Sequence, residues 1–399
     1  MQVCLGIIYA WSVFRGPLAQ AYGWDKTMTI APYRWANAFF TLAMIGAGIW
    51  QDRKGPRLVG TVGGVLLGLG CLLAGLIGDT PDGLKFAYGV VAGLGVGFAY
   101  VTPIATCVKW VPDKRGLVVG MAVMGFGLGP LLFGPLLEAL MGSDPAQYKE
   151  TIPRTFLILS ALLFVVVTGC AQMFKVPPPG WRPEGWNPPA AAVGARRADY
   201  SSGEMLGSWQ FYAAWVVYFL GSGIGLTIIP EAVPLFREIG SKGMAMTAGA
   251  ALGIVSIFNG LGRLGWGTAS DKVGRTKALL AMCAIYTVVC AVLMPAAGSF
   301  WPVLAGLCLI GFCYGGFLAI MPSLTAEFWG SKNIGANYGL MFTAWGVAGF
   351  TVPGYFAAII ERAKQANDLA GGYREVFFTL AGMAVVCALA ALVSRKPTK

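Results

Sequence analysis

Apolar residues fill long runs of this chain, and polar residues gather in the short breaks between them. Runs near 2–21, 33–50, 58–78, 83–109, 116–140, 153–174, 208–229, 244–269, 276–297, 301–326, 335–360 and 374–394 end at charged or Gly/Pro turns. Each approaches the ~20 residues that a helix needs to cross a bilayer, so twelve spanning helices are predicted. One polar break is much longer than the rest. From Lys175 to Leu206 it carries Pro177-Pro178-Pro179, Pro188-Pro189 and Arg196-Arg197, a composition that cannot form a lipid-buried helix and reads as a linker. The predicted organisation is a six-helix bundle over 1–175, a linker over 176–206 and a second six-helix bundle over 207–399. The first helix starts almost at Met1 with no basic segment before it, which fits a truncated or misassigned start.

Composition agrees with this pattern. With 56% apolar and 12% charged residues and a mean hydropathy of +0.67, the chain is no soluble domain but an all-α polytopic membrane protein. Its 57 glycines suit helices packed closely in lipid. The net charge of +11 would suit nucleic acid if it were clustered, but Lys and Arg are dispersed through short loops, so topology explains them and no nucleic-acid partner is expected. The richer set of loops is the 2–3, 4–5, 8–9 and 10–11 loops with the linker and both termini, which places the termini in the cytoplasm of an inner-membrane protein. The nine cysteines form no CxxC pair and there is no histidine, so no disulfide framework, metal site or cofactor is expected.

A shift of 219 positions lays the chain on itself. Gly48-xxx-Asp52-Arg53-x-Gly55 meets Gly267-xxx-Asp271-Lys272-x-Gly274, and Pro103, Trp110, Gly116 and Gly120 meet Pro322, Trp329, Gly335 and Gly339. Parallel six-helix repeats of this kind predict a transporter with its site between the halves.

The chemistry concentrates in one helix. Ser256, Asn259 and Arg263 share a helical face at i, i+3 and i+7, and a guanidinium inside a span faces a cavity or a partner rather than lipid. The stripe is a candidate anion site, with Arg263 holding a carboxylate through charge-assisted hydrogen bonds and Asn259 meeting a substrate hydroxyl or fixing the guanidinium. A snorkelling or ion-paired arginine is the alternative. Against it, Arg263 lies about 12 Å of helical rise before Asp271, and no acidic residue shares its face within two turns upstream. Arg15 in the first helix has two readings, snorkelling to the outer headgroups or service in an outer vestibule.

At Gly48-Ile-Trp-Gln-Asp52-Arg53-Lys-Gly55-Pro-Arg57 and its second copy the chain resembles the major facilitator superfamily over essentially its whole length. Tyr9-Ala-Trp11-Ser12, Trp110-Val-Pro-Asp113-Lys114-Arg115-Gly116 and Asn337-Tyr338-Gly339 are similar to the oxalate/formate antiporter and monocarboxylate transporter group. The resemblance implies the major facilitator fold, twelve transmembrane helices in two pseudo-symmetric bundles. It also implies a cavity lined by Tyr9, Tyr100, Phe126, Tyr314, Phe342 and Trp345, each of which could instead be simple packing, and gate contacts from Asp52, Arg53, Arg57, Asp271 and Arg275. Gly125-xxx-Gly129-Pro130-xxx-Gly134 faintly resembles an antiporter signature, but close packing or a kink explains it better.

Two departures bear on substrate. The resemblance implies a lysine in helix 11 of the oxalate exchanger where this chain has Trp345, and an Asp in proton-coupled carriers of animals where this chain has Asn259. One cationic anchor fits one carboxylate. The expected function is therefore alternating-access carriage of small monocarboxylates of the L-lactate or pyruvate type, with a proton as co-substrate and Glu231 as one candidate for carrying it. The alternative is a small-carboxylate anion exchanger of the oxalate/formate type, and a third reading is a transporter-like nutrient sensor. No nucleophile–base pair, metal cluster or nucleotide loop suggests an enzyme. The partners expected are the monocarboxylate, the proton and the lipid bilayer, with the monomer as the functional unit.

Overall fold

The computed structural model describes residues 1–178, 180–184, 199–228, 235 and 248–397. All the regular secondary structure among these residues is helical. Helix α1 joins Gln2–Leu5, a 3-10 stretch Gly6–Trp11 and Ser12–Tyr22. There follow α2 (Lys26–Lys54), α3 (Pro56–Ile77), α4 (Pro81–Trp110), α5 (Arg115–Met141) and α6 (Pro145–Met173). After a one-turn helix Ser202–Leu206 come α7 (Trp209–Ile228), α8 (Ala248–Val273), α9 (Arg275–Ala296), α10 (Phe300–Trp329), α11 (Ile334–Gln365) and α12 (Leu369–Val393). Among the described residues, nine helices are long and apolar enough to cross a membrane. The chain is an all-α polytopic membrane protein.

Local chemistry sets the helix ends. Helix α2 begins near 26 rather than the 33 expected from hydropathy, because the Asp25 carboxylate caps it by accepting from the Met28 N–H at 2.7 Å. It ends at Gly55, whose φ of +84° is open to glycine and disfavoured for other residues, and Pro56 then starts α3 with its φ already helical. The repeat reproduces the turn, with Gly274 at φ +94° between α8 and α9. The repeated glycine of the loop motif, Gly55 and Gly274, therefore has a backbone reason in both copies.

Two compact units make up the described chain. The first holds 1–113, 125–202 and 330–343; the second holds 114–124, 203–329 and 344–399. The short segments that leave their own half of the sequence, 114–124 and 330–343, are partners under the 219-residue repeat. Within the first unit, α3 packs through glycine on two faces. A Cβ on Gly60, Gly64 or Gly68 would press into Ala171, Thr168 or Phe164 of α6, and one on Gly63 or Gly70 would meet Ala99 or Ala92 of α4. Such small-residue faces let backbones approach where lipid supplies no hydrophobic drive. Helix α5 breaks at Leu128, and Gly129 comes against the backbone of Gly6 in the 3-10 stretch of α1, so the Gly125–Gly134 pattern holds a break and a close contact. In the second unit, Gly262 and Gly315 bring α8 and α10 together in the same way, against the carbonyls of Phe312 and Asn259.

Candidate functional site

In the second unit, Arg263 is wholly shielded on α8. Its Nε donates to Asn259 Oδ1 at 3.2 Å, and its Nη1 donates to the Val123 carbonyl of α5 at 2.8 Å. Asn259 in turn donates from Nδ2 to the Gly311 carbonyl of α10 at 3.1 Å. Both ends of the amide are thus engaged, and Asn259 fixes the plane of the guanidinium. Ser256 is half-buried on the same stripe. The approach depends on glycine: a Cβ on Gly120 would strike the Arg263 carbonyl, and one on Gly315 would lie 3.1 Å from Arg263 Cγ. Holding a cation here is expensive unless its donors are satisfied and an anion can reach it.

The same unit brings Trp345 and Tyr314 together. The indole N–H donates to the Tyr314 hydroxyl at 2.9 Å, both side chains are buried, and the Tyr314 ring fills the space left by Gly225 on α7. The pair is polar and uncharged.

In the first unit, the remaining aromatic candidates gather around Phe40 of α2. Ring centroids of Phe40 lie 5.1 Å from Tyr100, 6.1 Å from Phe126 and 5.2 Å from Phe342. Tyr9 meets Phe126 edge-on at 5.0 Å, and Tyr100 stands 5.1 Å from Phe126 and 5.6 Å from Phe342. The edge-to-face pairs among them, Tyr9–Phe126, Phe40–Tyr100 and Tyr100–Phe126, add about 0.5–1.5 kcal/mol each beyond area burial. The eight residues proposed from sequence for substrate therefore form two groups: Arg263, Asn259, Tyr314 and Trp345 in one unit, and Tyr9, Tyr100, Phe126 and Phe342 in the other.

The charged loop motifs make matching contacts. Asp52 accepts from the Ala336 N–H at the start of α11 at 2.9 Å and pairs with Lys109 at 3.0 Å. Asp271 accepts from the N–H groups of Gly116 and Leu117 at the start of α5, at 2.9 and 2.8 Å. Leu117 and Ala336 are repeat partners, as are the two aspartates. Each carboxylate sits at the positive end of a helix dipole. Arg275 pairs with Asp271 at 2.6 Å and Glu327 at 3.1 Å and donates to the Ser270 hydroxyl. Arg57 is exposed and donates to the Phe174 carbonyl at 3.1 Å, while Arg53 is exposed on the last turn of α2. Glu231 lies outside the described residues. An apolar groove of about 210 Å³ between α11 and α12, lined by Thr351, Val352, Tyr355, Phe356, Thr379 and Met383, holds none of these groups.

The family model described as Major Facilitator Superfamily matches residues 3–353. The chain belongs to the major facilitator superfamily. As a member of that superfamily it is a secondary active transporter of a small organic solute, not an enzyme. Its fold is that of solved superfamily transporters: FucP in the outward conformation, with a TM-score of 0.70 at 15% identity over 99% of this chain and 98% of that one, and the proton:xylose symporter XylE, with a TM-score of 0.70 at 14% identity over 97% and 93%. Among curated relatives, the oxalate:formate antiporter of Oxalobacter formigenes is 28% identical over 89% of this chain and 81% of its own length. Apicoplast pyruvate carrier 1 of Toxoplasma gondii is 29% identical over 76% and 64%, and monocarboxylate transporter 10 of Danio rerio is 25% identical over 93% and 70%.

Several groups in this superfamily member escaped sequence reasoning. Lys109, not Arg53 or Arg57, is the side-chain partner of Asp52, and Glu327 shares Arg275 with Asp271. Phe40 is the hub of the first aromatic group and carries no motif. The Val123 carbonyl is a backbone group that no residue type announces, although the glycine pair Gly116 and Gly120 marked the face where α5 approaches α8.

Proposed function

We propose that this carrier exchanges small carboxylates, with Arg263 binding the carboxylate group and Asn259 positioning the guanidinium. The observation that carries the reading is a fully buried arginine whose Nε and Nη1 rest on neutral acceptors, an amide oxygen and a backbone carbonyl. An anionic oxygen is a stronger acceptor for a guanidinium than either, so a substrate carboxylate can displace the Val123 carbonyl from Nη1. That bond is the innermost of a series between α5 and α8 that continues through Gly120 on the Arg263 backbone to Gly116 and Leu117 on Asp271. Loss of the first contact loosens the rest. An empty carrier returns Arg263 to Val123 and keeps the series intact, so the loaded form reorients and the empty form does not. Obligatory exchange follows from that asymmetry.

The names of the relatives, which include an oxalate:formate antiporter and a pyruvate carrier, support a small carboxylate as substrate, and the first of them supports exchange. Asn259 also weakens the symport reading, because it cannot take up a proton where the resemblance implies an Asp. Trp345 and Tyr314 offer hydrogen bonding without a second charge, which favours substrates with one carboxylate, such as formate or L-lactate, over oxalate. The excess of Lys and Arg in alternate loops supports an inner-membrane protein with cytoplasmic termini.

The test is uptake of labelled formate, L-lactate, pyruvate and oxalate into proteoliposomes, either empty or preloaded with unlabelled carboxylate. Uptake that requires preloading and is insensitive to protonophore is expected. Accumulation into empty vesicles that collapses with protonophore refutes exchange and restores symport, and transport that survives Arg263→Ala removes Arg263 as the anchor.

A further inference from the structure

The first turn of α11 is held from two sides, and only one of them belongs to the repeat. On the α2 side, Asp52 accepts from the Ala336 N–H at 2.9 Å, and Gly335 packs so closely on Gly48 that a Cβ on either would strike the other's carbonyl. On the other side lies the end of the segment that joins the two halves of the sequence. Asp199 Oδ1 accepts from the Lys332 N–H at 3.1 Å, and the Tyr200 carbonyl accepts from Asn333 Nδ2 at 2.9 Å and from Asn337 Nδ2 at 3.1 Å. Ser202 donates its hydroxyl to Asn337 Oδ1 at 3.0 Å. Asn337 is fully buried, and both its amide oxygen and its amide nitrogen are used by this strap. Gly330 accommodates it as well, since its φ is +85° and a Cβ there would run into Asp199.

The repeat isolates what this second grip is for. The corresponding turn at the start of α5 also receives an aspartate on its N–H groups and also uses glycine for close approach. At the positions of Asn333 and Asn337, however, it has Lys114 and Val118. The sequence keeps the gate residues Asp52/Asp271, Gly116/Gly335 and Gly120/Gly339 and departs from the repeat at the two asparagines that bind the strap. A buried amide with neither strap nor water would cost stability, so these asparagines make physical sense only with the strap in place.

We propose that Asp199, Tyr200 and Ser202 form a latch that holds the first turn of α11 in register for Asp52, so that the segment between the halves controls how readily that turn leaves α2. The latch is a built-in bias on one of two contacts that share an aspartate on helix N–H groups and close glycine approach. It makes the contact at Asp52 harder to release than it would be without the strap, and it gives whatever acts on the linker a route to the transport cycle.

The experiment is hydrogen–deuterium exchange on the full-length protein in nanodiscs. It compares wild type with Ser202→Ala, Asp199→Asn and Asn337→Val, the last placing at 337 the residue type the repeat has at 118. Faster amide exchange by about five- to tenfold is expected at 333–337 and, beyond the strap's own contacts, at 48–57 around Asp52. Combining Ser202→Ala with Asp52→Asn should then add less than the two single effects together. Exchange confined to 330–337 with 48–57 unchanged, or strictly additive effects, overturns the latch. Asn337→Val removes a buried amide and could perturb folding; Ser202→Ala and Asp199→Asn are mild and carry the test alone. The readout needs no substrate, so its outcome is independent of whether the carrier exchanges carboxylates.

Discussion

Asn259→Asp places a carboxyl where an amide now holds the key guanidinium, and the outcome can be worked from the geometry. Asn259 Oδ1 lies 3.2 Å from Arg263 Nε, and its Nδ2 donates to the Gly311 carbonyl at 3.1 Å. An ionised carboxyl there would pair with Arg263 and compete with the substrate. At about 4 Å and an effective dielectric near 20 the attraction is roughly 4 kcal/mol, a ceiling of about a thousandfold on lost substrate affinity. Its second oxygen would face the Gly311 carbonyl, a repulsion that a proton removes by restoring the donor. The protonated form therefore resembles the native amide, and the ionised form blocks the site. Exchange by the variant should rise as pH falls and be weak above neutrality, whereas wild type, with no titratable group at this position, stays flat over the same range. The assay is initial exchange velocity in preloaded proteoliposomes from pH 5.5 to 8, with thermal unfolding of purified protein as the folding control. A well-folded variant with the wild-type KM and a flat profile would refute Arg263 as the carboxylate anchor.

Trp345→Lys removes the donor to the Tyr314 hydroxyl and adds a second cation; competition assays should show about a tenfold gain for oxalate relative to formate, since one desolvated charge pair is worth more than a kilocalorie. Gly120→Val would drive a side chain into the Arg263 carbonyl, so the melting temperature should fall with a destabilisation of about 1–3 kcal/mol and exchange should slow, as measured by calorimetry and vesicle flux. Asp271→Asn weakens the charged bonds to the Gly116 and Leu117 N–H groups while Glu327 keeps Arg275 paired; a loss of roughly 1.5–3 kcal/mol should appear as faster amide exchange at 115–119, and unchanged exchange there would dissociate this contact from the start of α5.

The parts of the fold that sequence reveals are those with a strong physical period. Twelve apolar runs and a 219-residue offset each rest on many residues, so no single residue decides them. Helix ends are less legible because one side chain moves them: Asp25 starts α2 well before its apolar run. Arg263 and Asn259 stood out because a cation and an amide are costly inside a span, and the structure shows them bonded to each other. The aromatic candidates were weaker signals. An aromatic residue is cheap in a membrane helix, and nothing in sequence spacing separates Tyr314, which accepts a hydrogen bond from Trp345, from a ring that only fills space.

What sequence could not supply is the set of partners that are backbone atoms. The Val123 carbonyl on Arg263, the helix N–H groups on Asp52 and Asp271, and the Tyr200 carbonyl on two asparagines are available to any residue type, so no composition marks them. Glycine marks them indirectly. At Gly48, Gly116, Gly120, Gly315 and Gly335 the missing Cβ allows one backbone to reach another, and each of these positions borders a polar contact between helices. In a membrane, where apolar burial does not drive helices together, close backbone approach and a few hydrogen bonds decide which helices adhere. Such contacts are individually weak, and a transporter needs interfaces that hold and release. The glycines that make the helices look unspecific in sequence are therefore the residues that let these backbones meet.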